Sequence, residues 1–415
     1  MITPLLLIVL LFHSEPSPPP KVLSGDDPST EITERDEQVW AFANEIAIAL
    51  NERNGKKVSE AFDLEALLDR VFDYEGALPG ARLGFSIRFK KIFRVGESLC
   101  ERSFANEGAW SEPVLYWEEG DGGYAAVIRV VHSKSSIEYL IFHVIPRGEG
   151  WAIADVSFSG DPETQSEFVR RLLILKSHLT DSSTLRERTL QRDELRQLRK
   201  QEKWEELLLK AETFEQAHGA SLHVQSSRIA AFGKLGRLAE MKAVVKDALE
   251  QYPLSINPPM DAFSLLTSEK KYEEALHYVD LLDEWIEGDP YLEFIRGVLY
   301  SALGKKEIAL EHFERCSEED PLLYEPYNSA AKTALALKEW GRIVRALAGV
   351  EEHFDLDFTH LSEAESWQGF FSSDEGKEWF SAWKLRREER AKARAAEGEK
   401  PAEAESPPQP VGVDL

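Results

Sequence analysis

Four polar side chains on strand-like segments are the residues of this chain that could carry out acid–base chemistry: Tyr124, His132, His143 and Asp155. A general acid–base site requires two such groups that face one pocket and whose pKa values are moved apart by their surroundings. Because side chains alternate along a strand, each histidine shares a face with mostly apolar neighbours. We therefore expect hydrogen-bonded sheet histidines and a structural Asp155. A pocket lined by these four residues is the alternative.

The sequence carries no motif typical of a nucleotide, zinc-protease or serine-hydrolase site. Its two cysteines, Cys100 and Cys316, are too few for a four-cysteine zinc site. His312 precedes Cys316 by four residues, but two ligands do not make a zinc site. We expect no metal, no cofactor and no catalytic residue.

The composition excludes several classes of protein. The chain has 415 residues, with 74 Asp and Glu against 49 Lys and Arg, so its formal net charge is −25. Neutralising nucleic-acid phosphates requires clustered basic residues, so this balance argues against a nucleic-acid partner. The length indicates two or three domains, and a hydrophobic content of 43% is enough to build their cores.

The candidate acid–base residues belong to residues 35–179, where helical patterns precede strand patterns. Apolar residues recur at helical spacing over 36–51 and 58–71, with Asp63 as an expected N-cap, and a third helix is expected over 81–104. Four β-rich runs follow: Pro113–Glu118, Tyr124–His132, Ile137–Ile145 and Trp151–Phe158. Their short connections predict an antiparallel meander with helices on one face, an α+β layer.

The closing strand places the run Ile153-Ala154-Asp155-Val156 directly after Trp151. This strand, together with the order of helices and strands, resembles the nuclear transport factor 2-like fold. The resemblance implies a cone-like domain whose interior can hold a ligand, and some proteins of this fold are enzymes. For this chain, the resemblance leaves two alternatives: a pocket inside the cone, or an interior filled by apolar side chains.

A period of 34 residues runs through residues 188–357. Five residues at this spacing stand in short charged or glycine-bearing turns: Glu202, Gly236, Lys270, Gly304 and Lys338. The residues at fixed distances from these five turn residues are almost wholly apolar. Those that follow the turn are spaced so that they form one stripe of a second helix. Each period therefore predicts a helix–turn–helix unit, and stacking of the units buries a continuous core.

Residues 290–323 carry the signature of a known repeat most fully: Gly297, Tyr300, Gly304, Ala309, Phe313 and Pro321. These residues, with the period, resemble the tetratricopeptide repeat family. Glu293 and Arg296 replace the aromatic residue and the leucine of that pattern. The resemblance implies five units forming an all-α superhelix that binds a protein or peptide in a groove lined by the first helices.

At the positions that face the groove in this repeat family, the chain has a mixture of basic, polar, apolar and aromatic side chains. The candidate partner-binding residues are Arg192, Arg196, Arg199, Met260, Tyr291, Phe294, Val298, Asn328 and Lys332. We expect Tyr291, Phe294 and Val298 to anchor an apolar or helical peptide, unless they pack on a neighbouring helix or domain. The arginines have a second interpretation as a solvated helix face paired with Glu187, Asp193 and Glu194.

The chain ends differ from these domains. The apolar run Leu5–Phe12 within residues 1–14 has the length of a signal-peptide core or short anchor, and residues 15–34 are typical of a disordered spacer. Ser373 and Asp374 are expected to cap a helix that runs to about Ala396. Residues 358–396, dense in aromatics, predict a helical cap, and residues 397–415 predict a disordered tail.

The predicted fold class is multidomain: an α+β domain with helices on a four-stranded antiparallel sheet, followed by an all-α tetratricopeptide-like superhelix. The predicted function is a non-catalytic adaptor or scaffold that binds a protein or peptide through the repeat groove. We expect it to be exported or membrane-tethered, and cytoplasmic if residues 1–14 are not a signal. The alternative function is a ligand-binding or enzymatic cone with the repeats as a recruitment arm.

Overall fold

The computed structural model describes most of the chain between residues 33 and 396. The described residues are 33–74, 82–83, 85–86, 89, 93–104, 109–119, 122–133, 136–159, 163–177, 183–252, 255–286, 288–354 and 356–396. The predicted signal segment, the C-terminal tail and nearly all of the predicted spacer lie outside these ranges. The chain divides into two compact units. The first contains the residues up to Lys271 together with Asp280–Ile286, and the second contains Tyr272–Val279 and the residues after Ile286.

The first unit begins with helices that match the predicted apolar spacing. Helices α1 (Glu34–Asn51), α2 (Gly55–Glu60) and α3 (Leu64–Phe72) precede the sheet. The side chain of Asp63 accepts hydrogen bonds from the backbone N–H groups of the first turn of α3, which confirms the predicted N-cap.

The helix predicted within 81–104 is interrupted, because the described residues 82, 83, 85, 86 and 89 are helical but the helical run does not continue through to Ser103. Residues 93 and 94 are not helical, and helix α4 spans Val95–Ser103. The backbone of α4 approaches α2 closely at two glycines, because a Cβ on Gly96 would lie 2.1 Å from the carbonyl oxygen of Gly55. Only glycines permit this close approach of the two short helices.

The predicted antiparallel meander is confirmed. Strands β1 (Trp110–Glu118), β2 (Tyr124–Ser133), β3 (Ser136–Arg147) and β4 (Gly150–Phe158) lie in the order β1-β2-β3-β4. The segment between α2 and α3 pairs with β4, where the amide of Ile153 donates to the carbonyl of Ala61 at 2.9 Å. These helices, the sheet and the helical repeats that follow confirm the predicted fold class.

One face of the sheet packs against the helices and forms the core of the α+β domain. Trp40 and Leu50 of α1 are buried in the same cluster as Ile128, Leu140 and Phe142 of the sheet. Alternation places these strand residues on a single face, so the helices and this face share one hydrophobic core.

The helices after the sheet form pairs. A single helix, α5 (Gln165–Ser177), follows β4. The pairs are α6 (Ser183–Lys200) with α7 (Trp204–His218), α8 (Leu222–Lys234) with α9 (Leu238–Gln251), α10 (Asn257–Ser268) with α11 (Tyr272–Ile286), α12 (Pro290–Ala302) with α13 (Lys306–Glu319), and α14 (Tyr324–Leu337) with α15 (Trp340–Phe354).

The turn inside each pair has one repeated geometry. The five residues of the 34-residue period all have left-handed backbone, with φ between 55° and 75°. The residue after each of them donates its N–H to a carbonyl five residues earlier, as Lys305 does to Tyr300 at 2.9 Å. This bond satisfies a carbonyl at the end of the first helix, so the period read from the sequence is the period of the structure.

The departures from the repeat signature in α12 are explained by an ion cluster. Glu293 lies 2.7 Å from Nδ1 of His312 and 2.9 Å from Nη1 of Arg315, both on α13, and it also pairs with Arg296. A charged cluster thus replaces the usual apolar contact between the two helices of the fourth pair.

Shorter helices and one long helix follow the last pair. They are α16 (Thr359–Glu363), a 3₁₀ turn (Glu365–Trp367), α17 (Gln368–Ser372) and α18 (Asp374–Ala396). Ser373 Oγ accepts from the N–H of Gly376 at 3.0 Å, which confirms the predicted cap of α18. Trp383 is 1% exposed, and Glu351 of α15 pairs with Arg386 of α18, so α18 packs on the last helix of the fifth pair.

Candidate functional site

The four candidate acid–base residues do not converge on one place of the sheet, although His143 and Asp155 are cross-strand partners. Tyr124 begins β2 and is buried against Trp151, with the guanidinium of Arg35 over both rings. Burial raises the pKa of Tyr124, and the nearby carboxylate of Asp36 raises it further. Tyr124 therefore remains a neutral phenol within an aromatic cluster at the start of α1.

Each histidine stands beside a carboxylate. His132, near the end of β2, lies 3.5 Å from Glu138, and Arg102 pairs with the same glutamate. His143 on β3 places Nδ1 2.8 Å from Oε1 of Glu119, and both side chains are about one-fifth exposed (20% and 23%). Each histidine thus has a carboxylate partner, and the carboxylate of His143 is at hydrogen-bonding distance.

Asp155 is buried and joins the sheet to the following helix. It accepts hydrogen bonds from the backbone N–H of Ser166 at 3.0 Å and from the Ser166 hydroxyl at 2.5 Å. It also accepts from the N–H of Val156. These bonds fix the start of α5 against β4.

The structure brings two of the four residues together, because His143 on β3 and Asp155 on β4 are cross-strand partners on one face of the sheet. Tyr124 and His132 are eight residues apart on one strand, which at about 3.3 Å per residue is roughly 26 Å. His143 pairs with Ala125 and therefore points to the face opposite Tyr124. Within the predicted set only His143 and Asp155 are neighbours, and Glu119 is a second carboxylate beside His143.

The second face of the sheet is also covered. Arg129 and Tyr139, which face each other on β2 and β3, are 1% and 0% exposed. The ring of Trp117 on β1 meets the ring of Trp285 from the last part of α11 edge to face, with centroids 5.6 Å apart. Burial raises the pKa of Tyr139, and Asp283 on the same part of α11 raises it further, whereas Arg129 lowers it. Residues of the third helical pair therefore lie against this face within the first unit.

The three groove arginines of α6 stand beside a buried ionic cluster. Its central residue is Glu163, just after β4 and 4% exposed. Glu163 lies 2.8 Å from Arg196 Nη2, 3.0 Å from Arg171 Nε and 4.0 Å from His223 Nε2. Arg199 reaches toward Asp261 of α10 at 3.9 Å. The acidic residue that serves the arginines thus comes from the end of the α+β domain.

The expected pairing of the arginines along their own helix is wrong. Asp193 contacts Arg171 at 3.1 Å, and Glu194 contacts Lys210 at 2.8 Å. Sequence reasoning missed Glu163, because a single acidic residue after a strand has no spacing that links it to a helix further along the chain. The only feature of the sequence that singles out Glu163 is its position immediately before Thr164, in the turn that begins α5.

The histidine of this cluster is held neutral. Burial lowers the pKa of His223 well below its usual value, and four surrounding arginines (Arg192, Arg196, Arg171 and Arg199) lower it further. The cluster therefore holds permanent cations around a neutral imidazole.

The remaining groove candidates differ in exposure. Met260, Tyr291 and Phe294 are 2%, 0% and 0% exposed, and the rings of Tyr291 and Phe294 contact each other. Phe294 also contacts Phe313 of α13. Val298 and Asn328 are partly exposed and Lys332 is exposed. Partner binding by these residues stays a prediction, and only the last three present surface in this conformation.

Among the residues that the structure describes, no group of three or more His, Cys, Asp or Glu side chains could hold a metal ion. Cys100 and Cys316 are both buried free thiols. None of the described helices is long and apolar enough to cross a membrane.

No protein-family profile and no curated protein matches this chain. Among solved structures it is similar to the 41-end form of MamA from Desulfovibrio magneticus RS-1, at 14% identity and a TM-score of 0.30, over 40% of this chain and 93% of that one. It is also similar to a tetratricopeptide repeat protein of Thermus thermophilus, at 14% identity and a TM-score of 0.25, over 44% of this chain and 99% of that one. Scores this low carry no conclusion about partners.

Residues 188–357 form a tetratricopeptide-like repeat region. The evidence for this is the geometry itself, five helical pairs whose left-handed turn residues recur every 34 positions. The repeat region is therefore identified from the geometry of this chain alone.

Proposed function

We propose that the protein is a non-catalytic scaffold that binds a protein or peptide partner through its repeat region. The observation that carries this proposal is the five-fold repeated helical pair. Repeat arrays of this kind present extended surfaces, because each unit contacts only its neighbours. A protein partner also fits the net charge of −25, which disfavours nucleic acid.

The surface proposed for the partner lies on the first helices of the fourth and fifth pairs. Val298 on α12 and Asn328 and Lys332 on α14 combine an apolar, an amide and a cationic group, and they are at least partly exposed. In contrast, two of the groove candidates in the first three pairs are engaged in contacts within the chain. Arg196 is bound to Glu163, and Met260 is buried.

The test compares two variants by in-cell crosslinking and mass spectrometry. Asn328→Arg with Lys332→Glu alters the proposed surface, whereas Lys306→Gln makes the same net charge change at an exposed lysine of α13. We expect a defined set of partners that the first variant loses and the control keeps. Equal recovery from both variants would move the binding surface elsewhere on the chain.

A second candidate function is ligand binding or catalysis by the α+β domain, which we propose is nuclear transport factor 2-like. The observation that favours it is the His143–Glu119 pair at 2.8 Å, a partly exposed imidazole held by a carboxylate. A thermal-shift screen of small molecules on the native chain and on His143→Gln would test it. A ligand whose stabilisation disappears only in the variant would support this candidate.

We further propose that the protein is exported or membrane-tethered, because Leu5–Phe12 has the length of a signal-peptide core. Mass spectrometry of the N-terminus of fractionated cells tests this proposal. An intact N-terminus in the cytoplasmic fraction would contradict it.

A further inference from the structure

His223 of α8 stands at the contact between the α+β domain and the first repeat helices. Its Nε2 atom lies 3.4 Å from Nη2 of Arg196 on α6 and 4.0 Å from the carboxylate of Glu163, which follows β4. The side chain is 11% exposed. A guanidinium has only N–H donors, so Nε2 must accept in the contact with Arg196, and the proton of the imidazole must be on Nδ1. The geometry therefore requires a neutral His223.

Charged groups surround this imidazole from several elements. The cations are Arg171 of α5 and Arg192, Arg196 and Arg199 of α6, and together with burial they lower the pKa of His223. The carboxylates of the cluster are Glu163 after β4, Glu167 of α5, Asp193 of α6 and Asp261 of α10, and each of them already interacts with an arginine. A proton on His223 would therefore add a cation to a cluster whose acids already have partners.

The cluster joins two separate hydrophobic cores of the first unit. Val169 of α5 belongs to the core of the α+β domain, whereas Leu195 of α6 and Val224 of α8 belong to a core of the first repeats. Between these cores, Glu163 holds Arg196. Breaking this ionic link exposes neither core by itself, so it requires less free energy than unfolding the unit.

We propose that His223 is a pH-sensitive latch at this junction, closed while its imidazole is neutral and opened when Nε2 takes a proton. Protonation removes the acceptor for Arg196 and places N–H groups against N–H groups. Glu163, at 4.0 Å, is beyond hydrogen-bonding distance of Nε2 and does not offset this loss. The link between Glu163 and Arg196 then weakens, and α6 separates from the end of the α+β domain while both cores stay folded.

The direction of the pH dependence follows from proton linkage. In the open form the imidazole reaches water and titrates at its ordinary value of about 6.5. Opening therefore becomes more favourable by up to about tenfold for each pH unit below that value. The latch does not depend on the proposed scaffold function.

The test follows hydrogen–deuterium exchange of the full chain by mass spectrometry at pH 7.5, 6.5 and 5.5, after correction for the intrinsic pH dependence of exchange. Peptides from α6 report on the latch, and peptides from β2 and β3 report on the core of the α+β domain. The test variant is His223→Gln, which stays neutral and keeps an oxygen that can accept from Arg196. The control is His218→Gln on α7, because Nε2 of His218 lies 2.9 Å from the amide oxygen of Gln191 and not beside a charge.

We expect exchange in α6 to accelerate by up to about tenfold per pH unit below 6.5 in the native chain and in the control, with no change in β2 and β3. His223→Gln should show no such acceleration. The same acceleration in His223→Gln, its absence from the native chain, or an equal acceleration in the strands would overturn the proposal.

A measurement on the native chain covers the case in which circular dichroism shows that His223→Gln does not fold. Nuclear magnetic resonance of chain labelled at histidine should find the imidazole of His223 neutral, with its proton on Nδ1, at pH 6.5. An imidazole that is half protonated at this pH while the chain is folded and α6 is protected would overturn the proposal.

Discussion

The carboxylate of Glu163 lies 2.8 Å from Nη2 of Arg196 and links the end of the α+β domain to the first repeat helix. The same carboxylate contacts Arg171, and it is 4% exposed. One buried anion therefore balances two guanidiniums that face it from two different helices. This contact makes the α+β domain and the first repeat parts of one compact unit.

Glu163→Gln should destabilise the first unit. Removing one partner of a buried ion pair leaves uncompensated charge and costs about 3–5 kcal/mol. Urea unfolding followed by circular dichroism measures the change. The matched control is Glu194→Gln, whose ion pair with Lys210 is exposed, and no measurable change is expected there. Equal stability of the two variants would contradict a structural role for Glu163.

His223 should make stability depend on pH. Its pKa is lowered by burial and by the nearby arginines, so the unfolded chain binds the proton more readily than the folded chain. Stability from this residue is present above the unfolded pKa of about 6.5 and falls below it by up to about 1.4 kcal/mol per pH unit.

Urea midpoints of the native chain and of His223→Gln at pH 7.5, 6.5 and 5.5 measure this effect. The variant should lose less stability on acidification than the native chain, whatever its stability at pH 7.5. His360→Gln, at an exposed position, should keep the native slope. Parallel slopes for the native chain and His223→Gln would show that folding does not lower the pKa of His223.

Lys338→Gly should stabilise the fifth repeat. Lys338 has φ of 61°, a left-handed conformation that glycine adopts freely and that Gly236 and Gly304 occupy in other repeats. We expect a gain of about 0.5–1 kcal/mol. Lys332→Gly, inside helix α14, should instead lose about 1 kcal/mol. Thermal unfolding of the two variants should therefore shift in opposite directions.

Gly297→Ala should destabilise the fourth repeat, because the added Cβ would lie 2.4 Å from the buried ring of Phe313. Overpacking of this kind costs about 1–3 kcal/mol. Gly341→Ala is the control, since nothing lies within 4 Å of the new Cβ and the substitution should stabilise by about 0.4–1 kcal/mol. Denaturant midpoints measure both, and a shift in the same direction would refute the packing explanation.

Local features of the fold could be predicted because they depend on short-range rules. Asp63 caps α3 through its own side chain, and Ser373 caps α18 in the same way. The 34-residue period was visible because each turn repeats the same backbone geometry and the same apolar offsets. The order of strands followed from short turns, which leave neighbours in sequence as neighbours in the sheet.

The candidate site depended on long-range packing and was predicted less well. Spacing along α6 suggested partners for Arg196 on its own helix, but the structure pairs it with Glu163. Helical spacing likewise placed Tyr291 and Phe294 on a groove, and it could not show that both would be fully buried. Periodicity identifies the face of an element but not what covers that face.

The sequence by itself therefore determined the elements of this protein: the helix caps, the four-stranded meander and the register of five repeats. The tertiary structure alone decided which charges meet and which faces are covered. Glu163 reaches α6, and Trp285 meets Trp117 on the sheet. The physical reason is that hydrogen bonding within turns, helices and hairpins is local in sequence. Burial and charge pairing instead depend on surfaces brought together from distant parts of the chain.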